Sequence, residues 1–545
     1  MRTYGWTRLA VATGLITLLG LPLVHAVWSA LRAATDSAAW TALVHDPQTA
    51  RALALSLWSG VCASVLSVAL CAWILSRSFN QAAWGRLVQA LGPLLAVPHA
   101  AFAIGLVFLI APSGWVLRAL SPWATGLQTP PPWTTSQDPW ALGLIAALVA
   151  KEVPFLLWAA AAHLQRSEVA KHYVRALQVA RSMGYNPHQA WWYVVWPQLW
   201  PRLVWPMLAV LAYSMTVVDV ALVSGPGSPP TLAVVAWSWL LDADATTNAQ
   251  GAAAAWLLAA LLIAIAALAW HISQWPRWRR RWSAGRRGRA MPVRGAAGGS
   301  VAALLLVGLY VLVLLALALG SVSGVWPFPA LLPDNYTMGA WRSVWRSADT
   351  VGITLVLGMT SAVTALLWAI TWLETAPPQW DAALRQLVYL PLLLPAVLWV
   401  VGVHATTLAL GFDGRWSGLW LAHSMACTPY VLIALGPAYG GFDPRVRQIA
   451  ASLGHGHLVF LWRLKWPMLR GAIAAALAVG FAVSVAQYLP TLFVGAGRFS
   501  TVTTEAVTLA SGGQRSLTSA YAWLQWLLPV LAFGAAAWVG RPRRF

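Results

Sequence analysis

Lysine occurs only at Lys151, Lys171 and Lys465 in a chain of 545 residues, and acidic residues number just 15. The lysine scarcity excludes one activity outright. None of the three is preceded by glycine and followed by serine or threonine, so the chain lacks the GxxxxGK[ST] loop with which a protein cradles ATP phosphates. Cysteine is as rare: Cys62, Cys71 and Cys427 sit in apolar stretches without CxxC spacing, which excludes a zinc pattern or disulfide framework and leaves them as small packing residues. No nucleophile, acid–base pair or metal-ligating cluster stands out, so neither an enzyme nor a bound cofactor or metal is expected.

What the chain has instead is apolar length. Hydrophobic residues make up 59% and charged residues 9%, with a mean hydropathy of +0.66, which places it among polytopic membrane proteins. The formal net charge of +20 would suit nucleic acid, but the arginines fall between apolar runs rather than on a soluble basic face. A lipid bilayer is therefore expected around the chain, and no nucleic acid. Twelve apolar segments are long enough to cross it as helices, centred near Leu18, Ser64, Ile104, Ala150, Leu211, Ile263, Val311, Gly358, Leu398, Met425, Gly480 and Leu531. The first has basic flanks and a faint cleavage pattern at Val24-His25-Ala26, but its apolar core is too long for a signal peptide and reads as a retained span.

With a cytoplasmic N-terminus, 26 of the 35 basic residues fall on inside segments and eight outside, with Lys151 within a span. The asymmetry predicts that both termini are cytoplasmic. The Arg/Gly-rich stretch 274–300 reads as a cytoplasmic linker between two six-span domains, 1–273 and 301–545.

The two halves repeat. A shift of 270 positions lays 175–197 on 445–467 without a gap, matching Arg175 with Arg445, Gln178 with Gln448, Ala180 with Ala450, Ser182 with Ser452, Gly184 with Gly454, Trp192 with Trp462, Trp196 with Trp466 and Pro197 with Pro467. The same shift pairs Gly225 with Gly495, Gly227 with Gly497 and Thr231 with Thr501. Six spans per copy is an even number, so the copies share one orientation about a pseudo-two-fold axis along the membrane normal. Each repeated segment reads as a helix ended by glycine, then a short helix along the membrane whose apolar residues Trp191, Trp192, Leu458, Val459 and Phe460 face a partner, then a proline in the first turn of the next span.

That pattern resembles the cytoplasmic EAA loop of type I ABC importer permeases, the binding-protein-dependent transport family. In it EAA, three residues, Gly and a Pro thirteen further on form the coupling helix that docks on the ATP-hydrolysing subunit. Both copies match at the second Ala, the Gly and the Pro; they depart at Gln178 and Gln448, where the family has Glu, and at Val179 and Ile449, where it has Ala. The resemblance implies an all-α permease of the fused ferric-iron or thiamine importer type in the bacterial inner membrane, with two separate ABC ATPase subunits carrying the ATP and a periplasmic binding protein delivering a small solute by alternating access. It implies coupling roles for Gln178, Ala180, Ser182, Gly184, Pro197, Gln448, Ala450, Ser452, Gly454 and Pro467. A twelve-span secondary transporter, which would need Glu152 for ion coupling, is the competing reading.

Polar residues inside spans mark a pathway or an interior pairing. Lys151 and Glu152 lie mid-span and point about 100° apart as helix neighbours. Asp219, Gln487 and Tyr488 lie near the outer ends of the equivalent spans in the two halves. These five are the candidates for pore or gate; the solute's identity is not written in them.

Overall fold

The computed structural model describes residues 2–79, 82–165, 167–274, 297–377, 379–381, 384 and 395–541. The expected linker falls almost wholly outside them. The described chain is helical, with one isolated β-bridge between Ser323 and Tyr336. Among the described residues nine helices are long and apolar enough to cross a membrane, or ten if the pair His457–Met468 and Arg470–Val485, bent by 78°, counts as one. The other two expected spans are the helix Trp196–Thr216, which carries Arg202 and interior prolines, and the helix Ala396–Ala409, which is 14 residues long and follows residues outside the described set. The all-helical polytopic architecture is therefore as expected, with two elements less apolar or shorter than their neighbours.

Two compact units form. One comprises residues 36–337 with 393–397, the other residues 1–35 with 338–392 and 398–545. These are not the stretches either side of the linker. The N-terminal helix Arg2–Ala34 packs into the unit built from the second half: Ala12 is fully buried there beside Trp368 and Trp372, and the Trp368 indole donates to Leu15 O at 3.3 Å. The helix Ala297–Val322 packs into the unit built from the first half, where Val313 and Leu317 press on Gly105 and the Tyr310 hydroxyl donates to Ala150 O at 3.1 Å. The physical reason is local fit. A Cβ on Gly105 would lie 2.6 Å from Val313 Cγ1, so only glycine admits this helix so closely.

Within each unit one long helix organises the rest by a repeated hydroxyl and glycine four residues apart. In the helix Thr49–Ser78, Ser56 Oγ accepts from the backbone N–H of Leu232 at 2.8 Å, capping the helix Leu232–Leu240, while Gly60 lies against Met215. In the helix Ala348–Thr375, Thr354 Oγ1 accepts from the N–H of Val502 at 2.9 Å, capping Val502–Ala510, while Gly358 lies against Phe481. Helix starts leave N–H groups without intrahelical partners, and in hydrocarbon each must be met by protein. Small residues at the crossing matter because lipid offers apolar contact as good as another helix does, so association rests on close packing.

Candidate functional site

The repeated segments fold alike, atom by atom at their turns. The helix Ser167–Ser182 ends where Gly184 takes φ +86°, and the helix Pro444–Ser452 ends where Gly454 takes φ +80°. In the first, Gly184 N–H donates to Arg181 O at 2.9 Å and Tyr185 N–H to Ala180 O at 3.1 Å; in the second, Gly454 N–H donates to Ala451 O and His455 N–H to Ala450 O, both at 3.0 Å. This pairing is a Schellman C-cap, which uses glycine in the left-handed region to satisfy the last carbonyls of a helix. Ala180 and Ala450 accept the outer bond and are buried, so a larger side chain has no room there. Ser182 and Ser452 turn their hydroxyls back to Val179 O and Ile449 O at 2.8 Å.

After the turn each chain forms a short helix, Pro187–Ala190 or His457–Phe460, and then a five-residue π-turn, Trp191–Val195 or Leu461–Lys465, again 270 positions apart. The N–H of Trp196 reaches Trp191 O and that of Trp466 reaches Leu461 O. Proline explains the widening. Pro197 and Pro467 have no N–H to give, and in an α-turn the ring would strike the carbonyl four residues back; an i→i+5 turn moves that carbonyl away. Replacing Pro197 and Pro467 with Ala should therefore let the turn tighten and recover part of the roughly 3 kcal/mol that proline costs inside a helix. The expected result is a melting temperature unchanged or raised, with uptake reduced because the residues before the turn rotate relative to those after it.

Trp191 and Phe460, expected on the exposed face, are buried: Trp191, which opens its π-turn, packs on Phe79 at 5.5 Å between ring centres, and Phe460, just before its π-turn, packs on Phe442 at 6.1 Å. Leu458 and Val459 are exposed and Trp192 is half-buried. The exposed apolar residues common to both elbows lie one turn earlier. Val179 and Ile449 are each 59% exposed, and Met183 and Leu453, four residues on, stand on the same face at 54% and 69%. Gln178 and Gln448 are exposed beside them. Sequence reading treated Val179 and Ile449 as departures from a pattern and missed that both are apolar, matched and outward.

His188 in the first elbow accepts from the Trp192 indole N–H at 3.0 Å. Burial, with the Arg77 guanidinium nearby, holds its imidazole below the ordinary histidine range, which keeps the accepting nitrogen free of a proton at neutral pH.

The intramembrane candidates separate into two environments. Lys151 is 3% exposed; its ammonium donates to Val97 O at 2.6 Å and Leu94 O at 3.4 Å, and lies over the rings of Tyr310 and Phe102. Those carbonyls close the end of the helix Ala82–Leu95, where a cation is favoured by the exposed carbonyl dipoles. Glu152, 4% exposed, faces the other way and pairs with His99 Nε2 at 3.4 Å. The His99 ring lies tilted beside Tyr213, 4.6 Å between ring centres.

Asp219 itself opens a short helix, Asp219–Ser224, just past a break in the chain after Thr216. In the other unit the same break falls between Val485 and Leu489, and Gln487 and Tyr488 occupy it. His423, unremarked in the sequence, is fully buried and clasps this break: its Nδ1 meets Ser484 Oγ at 2.8 Å on one side and its Nε2 meets Thr491 Oγ1 at 3.0 Å on the other. Interrupted helices expose backbone polar groups in mid-membrane, which is tolerated where they are buried in protein or line a cavity.

No family model matches the chain. By sequence it is similar to an inner membrane ABC transporter permease protein, YnjC, of Escherichia coli K12, at 35% identity over 538 residues covering 97% of this chain and 96% of that protein. Shorter stretches are similar to the spermidine/putrescine transport system permease protein PotC: 26% over 113 residues in Haemophilus influenzae, covering 21% of this chain and 44% of that one, and 25% over 109 residues in Escherichia coli K12, covering 20% and 41%.

Proposed function

This chain belongs to the ABC transporter permeases of the inner membrane, and on that premise we propose that it passes a small solute, handed over by a periplasmic binding protein, through alternating access driven by two separate ATPase subunits. It is a transporter permease and not an enzyme. One observation carries the finer reading. The two elbows, 175–197 and 445–467, share a Schellman glycine, a π-turn before proline and a matched pair of exposed apolar residues at Val179/Met183 and Ile449/Leu453. A duplicated apolar pair on the end of a helix is the footprint of a partner that binds twice.

On this reading Gln178, Ala180, Ser182, Gly184 and Pro197, with Gln448, Ala450, Ser452, Gly454 and Pro467, form two grips on the cytoplasmic side, where both termini also lie, and the halves 1–273 and 301–545 each supply one. Closure of the ATPase pair on ATP draws the grips together, and hydrolysis releases them; each grip transmits only what its contacts distinguish between the two states. Glu152 and Asp219 in one unit, and Gln487 and Tyr488 at the break equivalent to that before Asp219 in the other, are the candidates for contact with the solute. The carbonyl partners of Lys151 support a structural role for it. The similarity to polyamine-system permeases and the likeness to the ferric-iron or thiamine type leave cations and small organic solutes as the classes to screen first.

Variants Val179→Cys and Ile449→Cys, carrying a short bifunctional crosslinker and co-expressed with the cognate ATPase, test the grips. Adducts from both positions are expected. A transporting protein that gives adducts from neither would overturn the reading.

A further inference from the structure

In the unit that contains the second elbow, one carboxylate meets two elbow residues directly and a third through Tyr439. Glu374, in the last turn of the helix Ala348–Thr375, is largely buried and pairs with the Lys465 ammonium through Oε1, which also accepts the Tyr439 hydroxyl at 2.7 Å; Oε2 lies 3.6 Å from His457 Nε2. The Trp466 indole donates to the Tyr439 oxygen at 3.1 Å, and the Lys465 ammonium sits 3.8 Å from the centre of the Tyr439 ring. Arg8, on the N-terminal helix, comes within 3.4 Å of His457 Nε2. His457 begins the short helix of the elbow, Lys465 closes its π-turn and Trp466 starts the segment after it. The elbow is thus tied at both ends to the ends of two spans.

Apart from Trp196 at the place of Trp466, the first elbow has none of these partners at matching places. Where the repeat puts Lys465 it has Val195, fully buried in an apolar cluster with Leu75, Leu164 and Trp191. The shift of 298 that matches Ser56 with Thr354 and Gly60 with Gly358 puts Ser76 opposite Glu374, and Ser76 bonds only back to Trp73 O among the contacts described. Aligning Pro154 with Pro429 puts Leu164 opposite Tyr439.

The geometry points to Glu374 as the positioning residue that latches the second elbow to its membrane unit, so that the two elbows transmit motion through different forces, one ionic and one apolar. This rests on the reading of the elbows as ATPase grips. A largely buried ion pair resists separation because either charge left alone is poorly solvated, and its directional bonds hold one geometry where apolar contact allows sliding. The second elbow is the stiffer lever, and loosening it lets ATP be consumed without movement of the unit.

The test uses proteoliposomes with permease, ATPase and binding protein, reading solute moved per ATP consumed, alongside crosslinking of Ile449→Cys to the ATPase. Glu374→Gln is expected to keep the crosslink but lower solute per ATP by about fivefold, the effect of a roughly 1 kcal/mol bias. The exchanged pair Glu374→Lys with Lys465→Glu should return the ratio to within about twofold of wild type, as a direct pair requires. If Glu374→Gln does not insert, Glu374→Ser with Lys465→Val, which copies the first elbow, should insert and show the same lowered ratio. A wild-type ratio in any inserted single or copied variant, or an exchanged pair no better than Glu374→Gln, overturns the latch. Loss of the Ile449→Cys crosslink in the wild-type background instead overturns the grips.

Discussion

Replacing Gly184 and Gly454 together with valine is expected to cut uptake by at least about tenfold while the protein still inserts. Both residues hold φ near +80°, +86° and +80° respectively, and nothing lies within 4 Å of the space a Cβ on Gly454 would take. At Gly454 the cost is therefore backbone strain, not collision. Left-handed geometry costs an L-residue about 1–2 kcal/mol, and branching at Cβ makes it worse. Each helix end would escape the strain by giving up the bonds to Ala180 O and Arg181 O, or to Ala450 O and Ala451 O, and swinging the exposed apolar pair away from its position. About 1.4 kcal/mol lost from the coupled step is already tenfold in rate. Asparagine, which tolerates the same φ, should retain most activity, and uptake by Gly184→Asn with Gly454→Asn vesicles measures that. Valine variants transporting as wild type would remove the turn from the mechanism.

Lys151→Met should be the most destabilising single change in the first unit. It would orphan the buried carbonyls of Leu94 and Val97, which the ammonium now satisfies. A buried polar group left without a partner costs about 1–3 kcal/mol, so two of them take a large share of the roughly 5–15 kcal/mol that holds a domain folded. Thermal unfolding in detergent should show the loss. Loss of uptake with unchanged stability would instead place Lys151 on the solute's path.

Some of this was readable in the chain and some was not, for identifiable reasons. Gly184 and Gly454 were legible because a left-handed turn leaves glycine as its trace, and Ala180 and Ala450 because a buried C-cap carbonyl excludes bulk. The π-turns had only an indirect sign in Pro197 and Pro467, since a widened turn has no composition of its own. Trp191 and Phe460 were read as outward because their ring partners, Phe79 and Phe442, lie outside the local helical pattern. The Ser56/Gly60 and Thr354/Gly358 pairs escaped notice because they repeat at 298 positions while the elbows repeat at 270, the difference lying in loops of unequal length. Glu374 could not be found at all: its partners Tyr439 and Lys465 stand 65 and 91 residues away, and no local pattern announces such a meeting. Nor does apolar periodicity say which unit a span will join.

That last point bears on how the protein is made. The helix Arg2–Ala34 leaves the ribosome long before the residues it packs on, which lie in a unit whose remaining chain starts at Met338. At synthesis rates of about 5–20 residues per second it must wait in lipid for roughly 15–60 s before its neighbours exist. During that interval the membrane is its only solvent, and its early partners are lipids or other proteins. A severed gene, giving 1–273 and 301–545 as separate products, would leave each product with one helix whose seat is on the other, so neither could mature by itself.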